Sequence, residues 1–94
     1  MVYAIHYSNK FKKQYKKLVR SGDKKMLAEL KSVITFISEG KKLSPNYDDH
    51  KLTGKLKDFR ECHIFPDLLL IYKIHEDFLV LELVATGTHS DLFR

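Results

Sequence analysis

The chain has 94 residues, a formal net charge of +5, 44% hydrophobic and 31% charged side chains. That length supports one core, so a single domain over residues 1–94 is expected, and the composition is that of a folded chain rather than a disordered one. The longest apolar run, Leu68–Tyr72, is far below the roughly 20 residues of a membrane-spanning helix, the N-terminus lacks a secretory pattern, and the lone Cys62 excludes an internal disulfide and fits the cytoplasm.

Val2 to Tyr7 alternates and is rich in β-branched and aromatic residues, which predicts a first strand. Ser8 then offers an N-cap for a helix whose apolar stripe is Phe11, Tyr15, Leu18 and Val19. Lys10, Lys12, Lys13, Lys16, Lys17 and Arg20 cover the rest of that helix. Residues 1–60 carry 15 Lys+Arg against 6 Asp+Glu, a net of +9, while residues 61–94 carry 2 against 6, a net of −4. A basic block of this kind fits nucleic acid or an acidic protein partner, and for any single lysine it fits an ordinary solvated face.

Ser21-Gly22-Asp23 reads as a turn, with Asp23 capping a second helix built on Leu27, Leu30, Ile34 and Ile37 and stopped near Gly40. From Lys41 to Lys57 the periodicity breaks around Pro45, Asn46 and Gly54, predicting a long loop that holds Asp48-Asp49-His50 and a short extended piece at Lys51 to Thr53. Three strands follow, Phe59–Phe65, Leu68–Ile74 and Phe78–Val84, joined by turns at Pro66-Asp67 and His75-Glu76-Asp77. The expected fold is α+β, in the order β-α-α-β-β-β, with a helical hairpin packed on a mostly antiparallel four-stranded sheet. The other sheet face, concave through twist, is the expected place for a site.

His6 and His75 read as surface or structural residues, whereas His50, His63 and His89 come from three segments that a meander could bring together. Several imidazoles beside a basic surface suit cleavage of RNA. Attack of a 2′-hydroxyl on the adjacent phosphate needs a base, the departing 5′-oxygen needs an acid, and the charge growing on the phosphate needs cations. Asp67 either orients an imidazole or is simply a turn residue. A metal site is disfavoured: these residues form no compact ligand motif, and Cys62 points away from its neighbour His63 on a strand. No glycine-rich phosphate loop or nucleophile elbow is present in the sequence. Phe93 either stacks on a base or anchors the chain end.

The segments Asp49-His50-Lys51-Leu52-Thr53-Gly54, Phe59 to Asp67, Leu70-Ile71-Tyr72 and Thr86 to Phe93 resemble the YafQ-type toxins of the RelE/ParE superfamily. The resemblance implies a type II toxin, an endoribonuclease that cuts messenger RNA in the ribosomal A site beside ribosomal RNA. It implies neutralisation by a DinJ-like antitoxin, contact with operator DNA only through the antitoxin complex, and no cofactor. By the same resemblance His50, His63, Asp67 and His89 carry catalysis, with His89 as acid, His50 or His63 as base and Asp67 assisting. Phe93, Arg60, Lys51 and Lys55 make up the expected substrate-binding set.

Two positions depart from the pattern. Ala85 stands where relatives commonly have arginine, and Leu68 where they often have tryptophan. Arg60, Lys51, Lys55 and Arg94 are the cations that could compensate. Ala85 also supports an alternative, a superfamily member of slight activity that acts as a binding module through its antitoxin complex or by occupying ribosomes. Gyrase inhibition, as in the ParE branch, is disfavoured because it does not need the histidine set.

Overall fold

The computed structural model describes residues 2–92, the side chain of His89 excepted. Strand β1 is Ala4–Tyr7, followed by helices α1 (Asn9–Ser21) and α2 (Lys24–Ser38). Strand β2 is His50–Lys51, flanked by single 3-10 turns at Pro45–Tyr47 and Gly54–Leu56. Strands β3 (Arg60–Phe65), β4 (Leu68–His75) and β5 (Val80–Gly87) form the meander, and a short helix α3 (His89–Leu92) follows.

The helices begin where their caps require. Ser8 Oγ accepts from Phe11 N at 3.0 Å and donates to the Val84 carbonyl at 2.7 Å, so one hydroxyl both starts α1 and ties it to β5. Asp23 Oδ1 accepts from Met26 N at 3.0 Å and starts α2. Between them Gly22 turns the chain at φ 76°, a conformation that costs glycine little. Phe11, Leu30, Ile34 and Ile37 bury the facing sides of the two helices against the sheet, whereas Val19 stays half exposed at the end of its stripe.

The sheet order is β1-β5-β4-β3-β2, with β1 parallel to β5 and the other pairs antiparallel. The α+β order stands, with one strand more than the four expected. The extra edge strand is His50–Lys51, one residue before the extended piece read from the sequence. The last strand also shifts: it starts at Val80 and runs on to Gly87, because Phe78 and Leu79 form part of an exposed turn with Leu79 at φ 53°. Two large apolar residues in a turn look like strand residues to any propensity argument.

Side chains alternate between sheet faces, and residues directly opposite one another share a face. Cys62, Ile64, Leu70, Tyr72, Leu81 and Leu83 point to the helices and form the core. Leu68–Tyr72 is buried throughout, as expected of a central strand covered on both sides. The opposite set lies on the face away from the helices. Register arranges it in rows: His50, Glu61, Ile71 and Ala85 form one, and His63, Leu69 and Gly87 the next.

Candidate active site

The two rows place both strand-borne imidazoles side by side, with ring centroids 6.3 Å apart. Between them lies Glu61, whose side chain is only 5% exposed. His50 Nε2 stands 3.5 Å from Glu61 Oε1, and His63 Nε2 stands 3.4 Å from the same oxygen. Asp48 closes the group from the loop, its Oδ2 3.6 Å from His63 Nε2. A buried carboxylate is costly unless it is paired, and here two potential cations face one oxygen.

Backbone geometry sets the first imidazole. Asp48 adopts a left-handed conformation at φ 48°, which turns the chain out of the 3-10 turn and aims its carbonyl at His50. His50 Nδ1 lies 2.7 Å from that carbonyl oxygen. A carbonyl only accepts, so Nδ1 donates and Nε2 is the nitrogen left to exchange a proton on the Glu61 side.

Asp49 anchors the same loop from the opposite face. Its Oδ2 accepts from the Tyr72 hydroxyl at 2.7 Å and its Oδ1 from Arg60 Nε at 3.0 Å. Because neighbouring residues alternate, holding the Asp49 side chain on the helix side holds the His50 ring on the open side. Burial, followed by the bond to Asp49, pushes the Tyr72 phenol above its ordinary value. Burial opposes the charge on Arg60, but its bonds to Tyr72 and Asp49 outweigh that and leave the guanidinium more basic than usual.

That arrangement corrects the expectation for Arg60. It faces the helices, directly opposite Tyr72, and pairs with Asp49; it does not join the imidazoles or replace a cation at Ala85. Lys51 lies across from Arg60 and so shares its side of the sheet, exposed, while Lys55 is exposed in the second 3-10 turn. Ala85 sits opposite Ile71 in the His50–Glu61 row and is buried, as is Leu68 on the helix side.

Asp67 is exposed in the β3–β4 turn and lines a cavity of about 520 Å³ with Gln14, Lys17, Thr86, Thr88 and Asp91. That cavity runs to the start of α3, where Thr88 and Asp91 cap each other: Thr88 N donates to Asp91 Oδ2 at 3.1 Å and Asp91 N to Thr88 Oγ1 at 3.2 Å. The reciprocal cap sets the backbone of His89 at the first position of the helix. Gly87 is required there: at φ +150° a Cβ would come within 3.0 Å of Asp91 Oδ2. Phe93 and Arg94 lie outside the described residues, as does the His89 side chain.

Residue-type reasoning overlooked Glu61, although a period of two along the strand from His63 puts it on the same face. It also overlooked Phe59 and Lys73, which lie on that face with the Lys73 ammonium 5.6 Å from the ring centroid. Cys62 is buried in the core, and burial pushes its thiol well above the ordinary value, which leaves it unreactive. Among the described residues no group of three or more His, Cys, Asp or Glu side chains is arranged to hold a metal ion.

Residues 3–94 match the family described as a bacterial toxin of type II toxin-antitoxin system, YafQ. The chain is 39% identical over 90 residues to the mRNA interferase toxin YafQ of Escherichia coli K12, covering 95% of this chain and 94% of that one. In solved structures it is similar to YafQ in the E. coli DinJ-YafQ toxin-antitoxin complex, at 32% identity and a TM-score of 0.87 with both chains fully covered. It is also similar to a metal-bound toxin from Helicobacter pylori, at 46% identity and a TM-score of 0.88 over 99% of this chain and all of that one.

Proposed function

Since the chain belongs to the YafQ family of bacterial type II toxins, we propose that it is the toxin of such a pair, an endoribonuclease that cuts messenger RNA and so inhibits translation. The observation that carries this reading is the meeting of His50 and His63 at the buried carboxylate of Glu61, on the sheet face left open by the helices. Two imidazoles on one carboxylate can accept a proton and pass it on without a further reagent.

In the proposed reaction a 2′-hydroxyl of the message attacks the adjacent phosphorus and passes its proton to Nε2 of His50 or His63. The new bond gives a 2′,3′-cyclic phosphate, and the 5′-oxygen leaves with a proton from His89. Glu61, beside Nε2 of both rings, stabilises by its charge the imidazolium that forms. Asp67, which lines the cavity beside α3, assists the proton transfer, and Phe93 supports substrate placement. Lys51 and Lys55 contribute long-range attraction from the loop. The site of action is the ribosomal A site in the cytoplasm, where translating message and ribosomal RNA lie together.

A DinJ-like antitoxin is the proposed protein partner, and operator DNA is reached only through that complex. The surface best suited to it is the apolar cavity of about 530 Å³ between β1, α1 and α2, lined by Ile5, Tyr7, Phe11, Tyr15 and Ile34 and edged by Lys12, Lys16 and Lys31. Such a groove takes an amphipathic segment with acidic flanks.

Induction in a bacterial host tests the reading. Growth should stop, primer extension on translated messages should reveal discrete cuts, and co-expression of the antitoxin should prevent both. The double variant His50→Ala/His63→Ala should stay folded and lose roughly 10²- to 10⁴-fold in cleavage. A double variant that still arrests growth and cuts at the wild-type rate would sink the assignment.

A further inference from the structure

The chemistry just proposed develops negative charge on a phosphate, and with Ala85 the row of His50 and Glu61 holds no lysine or arginine. Register identifies what lies next along the same face. Arg60 pairs with Tyr72 and faces the helices, so the residues on either side, Phe59 and Lys73, face the imidazoles. The ammonium of Lys73 stands 5.6 Å from the centroid of the Phe59 ring, which places both side chains on that face together. Among the described residues, Lys73 is the one lysine or arginine of the five strands that points to this side; Lys51 and Arg60 point to the other. Glu82, directly across from Lys73, accepts from His75 Nε2 at 2.8 Å, so its carboxylate is already engaged. Both Phe59 and Lys73 are part-exposed.

Resting on the RNA-cleaving reading above, we propose that Phe59 and Lys73 form a nucleotide subsite one step along the open face from the imidazoles, for a base and phosphate of single-stranded RNA flanking the cut. Two strand residues span roughly 7 Å, so the subsite adjoins the reacting phosphate without overlapping the imidazoles. The ring offers a stacking surface that any base can use. The ammonium covers that surface in the free protein; when a base takes its place, the flexible stem carries the charge to the phosphate. A cation and an aromatic ring side by side are the two parts a sequence-tolerant RNA contact needs.

The test is steady-state cleavage of a defined message in a reconstituted translation reaction, with melting temperatures recorded alongside. Lys73→Met and Phe59→Leu should each raise KM, by about 5- to 150-fold for loss of one stacked base, while kcat stays within about threefold. Lys73→Arg and Phe59→Tyr should restore KM to near the wild-type value, which a merely structural role for either side chain would not predict. Lys73→Met should also flatten the dependence of log(kcat/KM) on log[salt] by about 0.7, one phosphate's worth for a single strand. Should Phe59→Leu fail to fold, Lys73→Glu decides the question alone, with a larger KM increase than Lys73→Met expected. Wild-type cleavage with KM unchanged in Lys73→Met and Lys73→Glu overturns the subsite and leaves the nuclease reading standing. A wild-type protein that cuts no message overturns that reading and the subsite with it.

Discussion

The two faces of strand β3 carry the same kinds of residue to opposite ends. Arg60, Cys62 and Ile64 face the helices, where the guanidinium is bound to Asp49 and the thiol is sealed in the core. Glu61 and His63, with Phe59 just before them, face the open side, where an acid of only 5% exposure is met by two imidazoles. A charge on the helix side holds the fold together, and a charge on the open side is available for chemistry. Parity along the strand, rather than residue type, separates the two roles.

The sharpest way to break this contrast is Glu61→Gln. It leaves the side chain's shape in place and removes the charge that faces both rings, so kcat for message cleavage should fall about 10- to 100-fold with little change in melting temperature. If Glu61→Gln cleaves as fast as wild type, the open face has been misread. The partner experiment on the helix side is Tyr72→Phe, which strips the hydroxyl from Asp49 while Arg60 still holds it. Loss of a buried hydrogen bond to a charged acceptor costs about 1.5–3 kcal/mol, which at about 4–8 °C per kcal/mol for a domain of this size lowers Tm by roughly 6–24 °C. Differential scanning calorimetry should show that drop, and the cleavage rate should fall less than in Glu61→Gln. An unchanged Tm would remove the structural role of the Asp49 clamp.

The smallest effect sharpens the same distinction through pH. Burial raises the Cys62 thiol above an ordinary value of 9.0 and the Tyr72 phenol above 10.0, so the folded chain keeps protons that the unfolded chain releases. The folded state therefore binds more protons at high pH, and stability present below about pH 9 is lost as pH rises through that range. Urea unfolding from pH 8 to 11 should show a declining stability, and the double variant Cys62→Ala/Tyr72→Phe should decline less steeply. A wild-type curve that stays level to pH 11 would contradict the burial of both groups.

Much of this was legible in residue order. Ser8 and Asp23 announce the two helix starts because a capping side chain bonds a backbone amide three residues on, an interaction contained within one turn. The central, doubly covered strand is announced by Leu68–Tyr72, an apolar run without alternation. The last strand was announced but not its start at Val80, since Phe78 and Leu79 have strand-like side chains in a turn. Glu61 was passed over because nothing in the residue order shows that its strand neighbour across the sheet is His50. The resemblance puts Arg60 with the substrate-binding residues, and only its pairing with Tyr72 reveals its side of the sheet.

By itself, then, the sequence determined the local events: caps, helical stripes, the meander and the presence of several imidazoles in a chain with a basic first half. Only the tertiary structure decided which of them meet. His50 and His63 share Glu61 because β2 pairs with β3 at the register His50 to Glu61, and Phe59 comes to Lys73 through the β3–β4 register. Those pairings depend on long-range hydrogen bonds and on which face the helices bury, and a shift of one residue in register would send every one of these side chains to the other side.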